Sequence, residues 1–406
     1  MASLVPFRAL RPTPDSAARV AAVPYDVVNA EEAAALADGN LLSFLYVSRA
    51  EIDLPPGTNP YDETVYAKAA ENFSRLRSTA PLVLEDKPSL YVYRLRMSAH
   101  VQTGVAAAYS MDEYDNDLIR KHERTRRDKE DDRTRHMLAL RAQTGPVFLA
   151  YRASSAVDAI VARIATGGRP LFDFTAADEV QHTVWRVGDR DQGDLIAAFA
   201  KIPALYIADG HHRAASAARA RQELRGATAA AGEWDTFLAV AFPDSQVQIL
   251  SYNRVVKDLG PFTPASFLAR LGTQFTVTDG PAIPPRRGEV AMYLDGRWHS
   301  IALGDPSSNL TPAERLDVSR LQDTILAPLL GIGDVRTDKR VDFVGGGRGT
   351  SELEALVNSG KAAVAFSMYP VSVNDLMAIS DAGGIMPPKS TWFEPKLRDG
   401  LLSHVI

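Results

Sequence analysis

Leu205-Tyr206-Ile207-Ala208-Asp209-Gly210-His211-His212-Arg213 reads as a strand, a tight turn and the start of a helix. Leu205, Tyr206 and Ile207 form a β-favouring run behind Pro203. Asp209 and Gly210 break that run. From Arg213 to Ala231 the chain is rich in Ala and Arg and carries Gln222, Glu223 and Leu224, a strongly helix-forming composition. The junction therefore places Asp209, Gly210, His211, His212 and Arg213 at a helix N-terminus, where unpaired backbone N–H groups and the helix dipole attract anions such as phosphate. The His pair and Arg213 add donors. Asp209 can hold a metal ion or accept a proton. The competing reading is that Asp209 caps the helix and the His pair is a polar loop.

Composition narrows the classes. A chain of 406 residues is long for one domain, and with 46% hydrophobic residues it can bury a sizeable core. The formal net charge of -5 argues against a general nucleic-acid binder. The absence of cysteine excludes disulfides, thiolate chemistry and zinc–cysteine sites. The first residues carry Arg8 and Arg11 among prolines without an apolar segment, and no apolar run approaches the roughly 18 residues of a membrane span. The expectation is a soluble cytoplasmic protein with no membrane or nucleic-acid partner. Whether it forms a homodimer is open.

Outward from the central stretch, the patterns alternate between strand and helix. Val20–Val23 reads as a strand ending at Pro24, which puts Tyr25 and Asp26 at a strand end. Asp26 alternatively caps a helix over Glu31–Ala37. A helix is expected over 61–80, since Val65, Ala69, Phe73 and Leu76 recur at helical spacing. Leu90–Met97 and Val101–Tyr109 read as paired strands about a turn at 98–100. Residues 119–136 hold the densest charge in the chain and read as a solvated face or a mobile loop. Further strands are expected at 146–151, 181–187, 237–242 and 249–256, and helices over 155–165 and 191–201. Pro261 and Pro264 mark a boundary, giving a core over 1–260 and a C-terminal α+β region over 261–406.

Four spaced motifs resemble one family. They are Val23-Pro24-Tyr25-Asp26-Val27-Val28, His122-Glu123-Arg124-Thr125, Ile207 to Arg213, and Met386-Pro387-Pro388-Lys389-Ser390-Thr391-Trp392-Phe393-Glu394-Pro395-Lys396-Leu397. Together they resemble a bacterial domain-of-unknown-function family of the ParB/sulfiredoxin-like superfamily, related to free L-serine kinases. The resemblance implies a mixed α/β fold with a ParB/sulfiredoxin-like core, a large insertion and the C-terminal α+β region. It implies a kinase that phosphorylates a small hydroxylated metabolite, L-serine first, with ATP or ADP and Mg2+. In that reading Gly210, His211, His212 and Arg213 cradle phosphates, and Asp209 positions the metal or the hydroxyl. Glu123 is the first choice of base among Glu123, Asp209 and His122, with His122 orienting it, while Arg254 and Lys389 balance charge on the transferring group. Tyr25, Asp26, Arg133 and Thr391 contact the substrate. Family members carry Thr-His-Arg where this chain has Tyr252-Asn253-Arg254, so Arg254 matches and Asn253 departs. Gly383 to Ser390 is not a phosphate loop, because Pro388 has no N–H to offer. A nucleotide- or metabolite-binding regulator without turnover is the second reading.

Overall fold

The Leu205–Asp209 strand forms where its sequence predicts, and its first four residues are buried. The computed structural model describes residues 1–79, 82–228 and 231–406. The chain divides into two units. The first holds Met1–Lys121, Thr125–Val247 and Pro395–Ile406, and the second holds His122–Arg124 and Gln248–Glu394.

The first unit is built on an eight-stranded mixed sheet. Its order is Ile119–Arg120, Leu205–Asp209, Val147–Tyr151, Thr236–Pro243, His100–Ser110, Tyr91–Met97, Gln181–Arg186 and Phe172–Thr175. The neighbours run antiparallel except at the Ile119 and Val147 pairings, where Leu205–Asp209 and Thr236–Pro243 respectively lie parallel to their partners. Its central strands read as apolar runs because both faces are covered. Val105, Ala107, Leu149, Ile207 and Ala239 share a core with helical residues Val157, Leu195, Phe199 and Ala217. A four-stranded sheet joins Leu82–Leu84, Ala9–Pro12, Ser403–Val405 and Ala142–Gln143.

The His211–Thr228 helix starts at Gly210, whose φ of 98° is a conformation only glycine adopts without strain. Residues 229 and 230, inside the helix expected to reach Ala231, lie outside the described residues. Alanines at 214, 217 and 220 are buried, which lets the helix approach its neighbours closely. Its arginines are spent on carboxylates: Arg219 pairs with Asp131 at 2.5 Å, and Arg221 pairs with Asp112, Asp115 and Asp235.

The second unit carries a six-stranded sheet in the order Thr276–Asp279, Arg297–Ala302, Glu289–Leu294, Val364–Met368, Tyr252–Val256 and Val341–Gly345. Every pairing is antiparallel. The strand Tyr252–Val256, which the sequence reading grouped with residues 1–260, pairs inside this unit, and residues 395–406 return to the first. Both regions of the protein are therefore mixed α and β.

Several local expectations change. Ala17–Val20 is a helical turn, closed by the Arg19 and Val20 amides donating to Ser16 O, and Ala22 makes only a single bridge to Asp399. The helix Ala30–Ala37 is capped by Asn29 in a reciprocal box with Glu32, not by Asp26, which is exposed. The helix expected over 61–80 runs Glu63–Thr79, and residue 80 lies outside the described residues. The run expected over 249–256 breaks at Ser251 into Ile249–Leu250 and Tyr252–Val256, which belong to different sheets.

The largest change is in the charged run. Arg127–Leu140 is a helix, not a mobile loop, and it buries Asp132, Thr134, His136, Met137 and Leu140. The reason is pairing at depth. Asp132 accepts from Tyr66 Oη at 2.9 Å and from Arg133 Nε at 2.8 Å, while His136 Nε2 meets Val47 O at 2.9 Å.

Candidate functional site

The strand–turn–helix junction is shaped by a break in sheet register. Ile207 pairs with Leu149 but Asp209 pairs with Phe148, so the strand bulges just before the turn. A bulge of this kind re-aims the side chain that follows it. Asp209 Oδ2 consequently lies 3.3 Å from Arg213 Nη2, one helical turn on, and 3.3 Å from Lys396 Nζ. Burial would raise the Asp209 carboxyl. The Lys396 ammonium and the Arg213 guanidinium outweigh it and hold the carboxyl well below the usual carboxylate range. Arg213 is fixed again by donating to Pro146 O at 2.5 Å. Two cations thus share one carboxylate at the N-terminus of a long helix, the end whose dipole favours negative charge.

The His pair is divided in role. His212 Nε2 accepts from the Arg126 amide at 3.0 Å, which ties it to the start of the Arg127–Leu140 helix. His211 is buried on the first turn and its charge contributes to holding Asp209 ionised.

Beside Arg213 is a pocket whose wall includes Tyr25, Arg133, His136, Gly145 and Asp399. The Arg133 guanidinium stacks 4.1 Å from the centre of the Tyr25 ring. Asp399 is 4% exposed, and burial pushes its carboxyl up to about 7 despite the nearby Arg213 charge. It sits hard against Gly145, where a Cβ would lie 2.5 Å from Asp399 Oδ1, so any side chain there would displace the carboxyl. Its position is fixed by the preceding residue. Arg398 Nε donates to His182 Nε2 at 3.1 Å, and Arg398 also pairs with Asp178. Since His182 Nε2 accepts, its proton resides on Nδ1 and is donated to Tyr93 Oη at 2.8 Å. Burial keeps this imidazole neutral, pushing it well below the usual range.

Within the first unit, then, Tyr25, Arg133 and Arg213 line one pocket, and Asp209 and Arg213 form an ion pair. Asp26 is exposed on the turn after Tyr25, near enough to Arg213 and Asp399 for its charge to act on both. Lys396 and Asp399 were not among the sequence candidates. Lys396 lies inside the quoted Met386–Leu397 motif and Asp399 two residues beyond it, in the charged run Lys396-Leu397-Arg398-Asp399. That run was the available signal.

The remaining candidates belong to the second unit. His122 O accepts from the Met386 amide at 2.8 Å, so the His122–Arg124 segment is bound to the proline-rich strap. Glu123 is half-buried. Lys389 is exposed with φ of 57°, a left-handed backbone uncommon outside glycine, and its Nζ lies 5.4 Å over the Tyr252 ring. Thr391 is half-buried, and the adjacent Trp392–Phe393 pairs with Ile249–Leu250. Asn253, the departure from the family pattern, is buried and accepts from the Met368 amide at 3.0 Å. Arg254 is buried on the same strand.

A family model described as "Protein of unknown function (DUF1015)" matches residues 4–319. The chain belongs to the DUF1015 family. No curated protein matches it. Among solved structures, a free serine kinase in complex with AMP is similar at 14% identity and a TM-score of 0.36, covering 73% of this chain and 92% of that one. A conserved hypothetical protein from Pyrococcus furiosus is similar at 16% identity and a TM-score of 0.36, covering 74% and 95%. SbnI from Staphylococcus aureus, truncated at its C-terminus, is similar at 12% identity and a TM-score of 0.38, covering 74% and 87%. Among the described residues of this DUF1015 member, no helix is long and apolar enough to cross a membrane.

Proposed function

We propose that this DUF1015 member is a phosphotransferase that moves a phosphoryl group from ATP or ADP to a small hydroxylated metabolite, with L-serine the first acceptor to test. The observation that carries the reading is Asp209, kept ionised by Lys396 and Arg213 at the N-terminus of the His211–Thr228 helix. Phosphoryl transfer needs little covalent chemistry from the protein. It needs cations and backbone amides held around phosphate oxygens, and a carboxylate placed among them. In the proposed roles, Lys396, Arg213 and the helix amides at Gly210, His211 and His212 hold phosphate oxygens.

Mg2+ fits this donor set as an ion held by one carboxylate and the nucleotide's own phosphates, with Asp209 as that carboxylate. When bound it supplies charge neutralisation at the phosphates. Asp399, whose proton comes off near neutrality in the pocket with Tyr25 and Arg133, is matched to accept or hold a substrate proton. Glu123, oriented by His122, is the other carboxylate proposed for that task. The two are separated by pH profile: if Asp399 is the base, Asp399→Asn abolishes the rise of rate through pH 7 while Glu123→Gln leaves it. Tyr25, Arg133, Asp26 and Thr391 are proposed substrate contacts.

A second reading, binding without turnover, is favoured by Asn253. Its side chain is committed to the Met368 amide and carries no charge at a position where family members carry histidine.

The experiment is phosphorus NMR of the protein with Mg2+, ATP or ADP, and L-serine, with serine omitted as control. A serine-dependent phosphomonoester signal is expected. Nucleotide loss that ignores serine moves the acceptor to another hydroxyl compound. No nucleotide change, with ligand-induced thermal stabilisation, replaces phosphotransfer by the binding reading.

A further inference from the structure

The pocket carboxyl Asp399 is held from two sides. At and after it the backbone is pinned. The Asp399 amide donates to Ala22 O at 2.9 Å, the Ala22 amide to Asp399 O at 3.1 Å, and the Gly400 amide to Thr144 O at 3.0 Å. Before it, the anchor is the buried side chain of Arg398, which ends on His182 and Asp178. None of the roles assigned above uses His182.

The sheet register explains why the imidazole can serve as an anchor. His182 lies opposite Phe174 on one neighbouring strand, and their rings stack at 5.4 Å. On the other side Tyr93 lies opposite Val184, which makes it the diagonal neighbour of His182 on the same face, within reach of side chains this long. His182 donates from Nδ1 to Tyr93 Oη at 2.8 Å and accepts at Nε2 from Arg398 Nε at 3.1 Å. Turning the ring would break both bonds at once. Burial and the Arg398 charge keep the ring neutral, so one nitrogen always accepts from Arg398 and the other always donates to Tyr93.

We propose that His182, acting through Arg398, is a positioning residue that keeps the Asp399 carboxyl inside its pocket in the pose that takes a substrate proton. The catalytic half of this statement rests on the reading of Asp399 as a proton acceptor. The positional half does not, and it can be measured without turnover.

The direction of the effect follows from what surrounds the carboxyl. Arg213 faces it from the His211–Thr228 helix, Arg133 and His136 from the Arg127–Leu140 helix, and Tyr25 and Asp26 from the turn after Ala22. Arg398 adds its charge from the same segment. Burial is the largest influence and raises the carboxyl, whereas Arg398 is the weakest of the charges acting on it. Loosening Arg398 removes a small lowering influence but lets the carboxyl reach water. The second effect is the larger, so the carboxyl should fall toward the ordinary carboxylate range.

The test is carbon-13 NMR of side-chain carboxyls in the full chain without nucleotide, titrated between about pH 4 and 9. Asp399→Asn identifies the resonance. His182→Phe keeps a ring on Phe174 and removes both hydrogen bonds, while His182→Gln returns an acceptor for Arg398. Expected is a native midpoint near 7, a fall of about one pH unit or more in His182→Phe, and recovery of most of it in His182→Gln. If His182→Phe does not fold, Tyr93→Phe carries the comparison, with a smaller fall in the same direction. With Mg2+, nucleotide and L-serine, the rise of rate with pH should move down with the midpoint. A protein that never turns over sinks the kinase reading alone, and the midpoints still decide the positional claim. A folded His182→Phe that loses thermal stability but keeps the native midpoint overturns the proposal, as does a His182→Gln no closer to native than His182→Phe.

Discussion

Asp209 and Arg254 are both ionised groups withdrawn from bulk water, each inside its own unit, and they are held in opposite ways. Asp209 has two cations within 3.3 Å and is driven well below the usual carboxylate range. Arg254 has a backbone carbonyl and an aromatic ring, and burial lowers it to about 10. The first charge is compensated inside its unit, and removing it leaves Arg213 and Lys396 without their shared carboxylate. The second is a cost carried by the fold. A buried charge with its partners in place is held ionised at little cost, whereas one without them weighs on the fold.

The largest effect expected from this contrast is at Asp209. Asp209→Ala should lower stability by about 3 kcal/mol, the low end for breaking a buried pair, since Asp209 itself keeps 27% side-chain exposure. Urea denaturation checks it, and a loss under about 1 kcal/mol would mean the cations are solvated well enough to need no partner.

Asp399 gives the next effect, read as pH dependence. Its folded carboxyl is raised to about 7, above an unfolded value near 4. The folded state therefore binds the proton more tightly. The stability this contributes is present below about pH 4 and is lost as pH rises through about 7. Asp399→Asn should remove that loss, so the stability difference between variant and native protein should grow in the variant's favour by a few kcal/mol between pH 4 and 8. A pH-independent difference would contradict a carboxyl raised by burial.

Asn253 sharpens the comparison on the second unit's strand. Asn253→Ala strands the buried Met368 amide and should cost about 1–3 kcal/mol by denaturation. The smallest effect is expected at Arg254 itself. Arg254→Met should change stability by less than about 1 kcal/mol or raise it, because an uncompensated charge is replaced by an apolar chain of similar length. A loss comparable to that of Asp209→Ala would erase the contrast between the two regions.

The sequence disclosed what is local. The strand, turn and helix at 205–213 were legible because β-favouring residues, a breaker and helix formers follow one another directly; the strand at 147–151 followed from its apolar run and the helix at 63–79 from periodicity. The helix at 127–140 was hidden, because its buried polar residues find Tyr66 and Val47 far away in sequence and look solvated beside their charged neighbours. The same limit applied to the site. Asp209 and Arg213 are a turn apart and could be read together, whereas Lys396 reaches Asp209 across 187 positions. Asp399 acquires its character from Gly145, Arg213 and the His182–Arg398 contact, none of which adjoins it except Arg398.

The most direct test of the central claim is phosphorus NMR on the native protein and Asp209→Asn, each with Mg2+, ATP or ADP, and L-serine. The account predicts a serine-dependent phosphomonoester signal from the native protein that falls by about a hundredfold or more in the variant. Equal product from both proteins, or nucleotide untouched by the native protein, would contradict it.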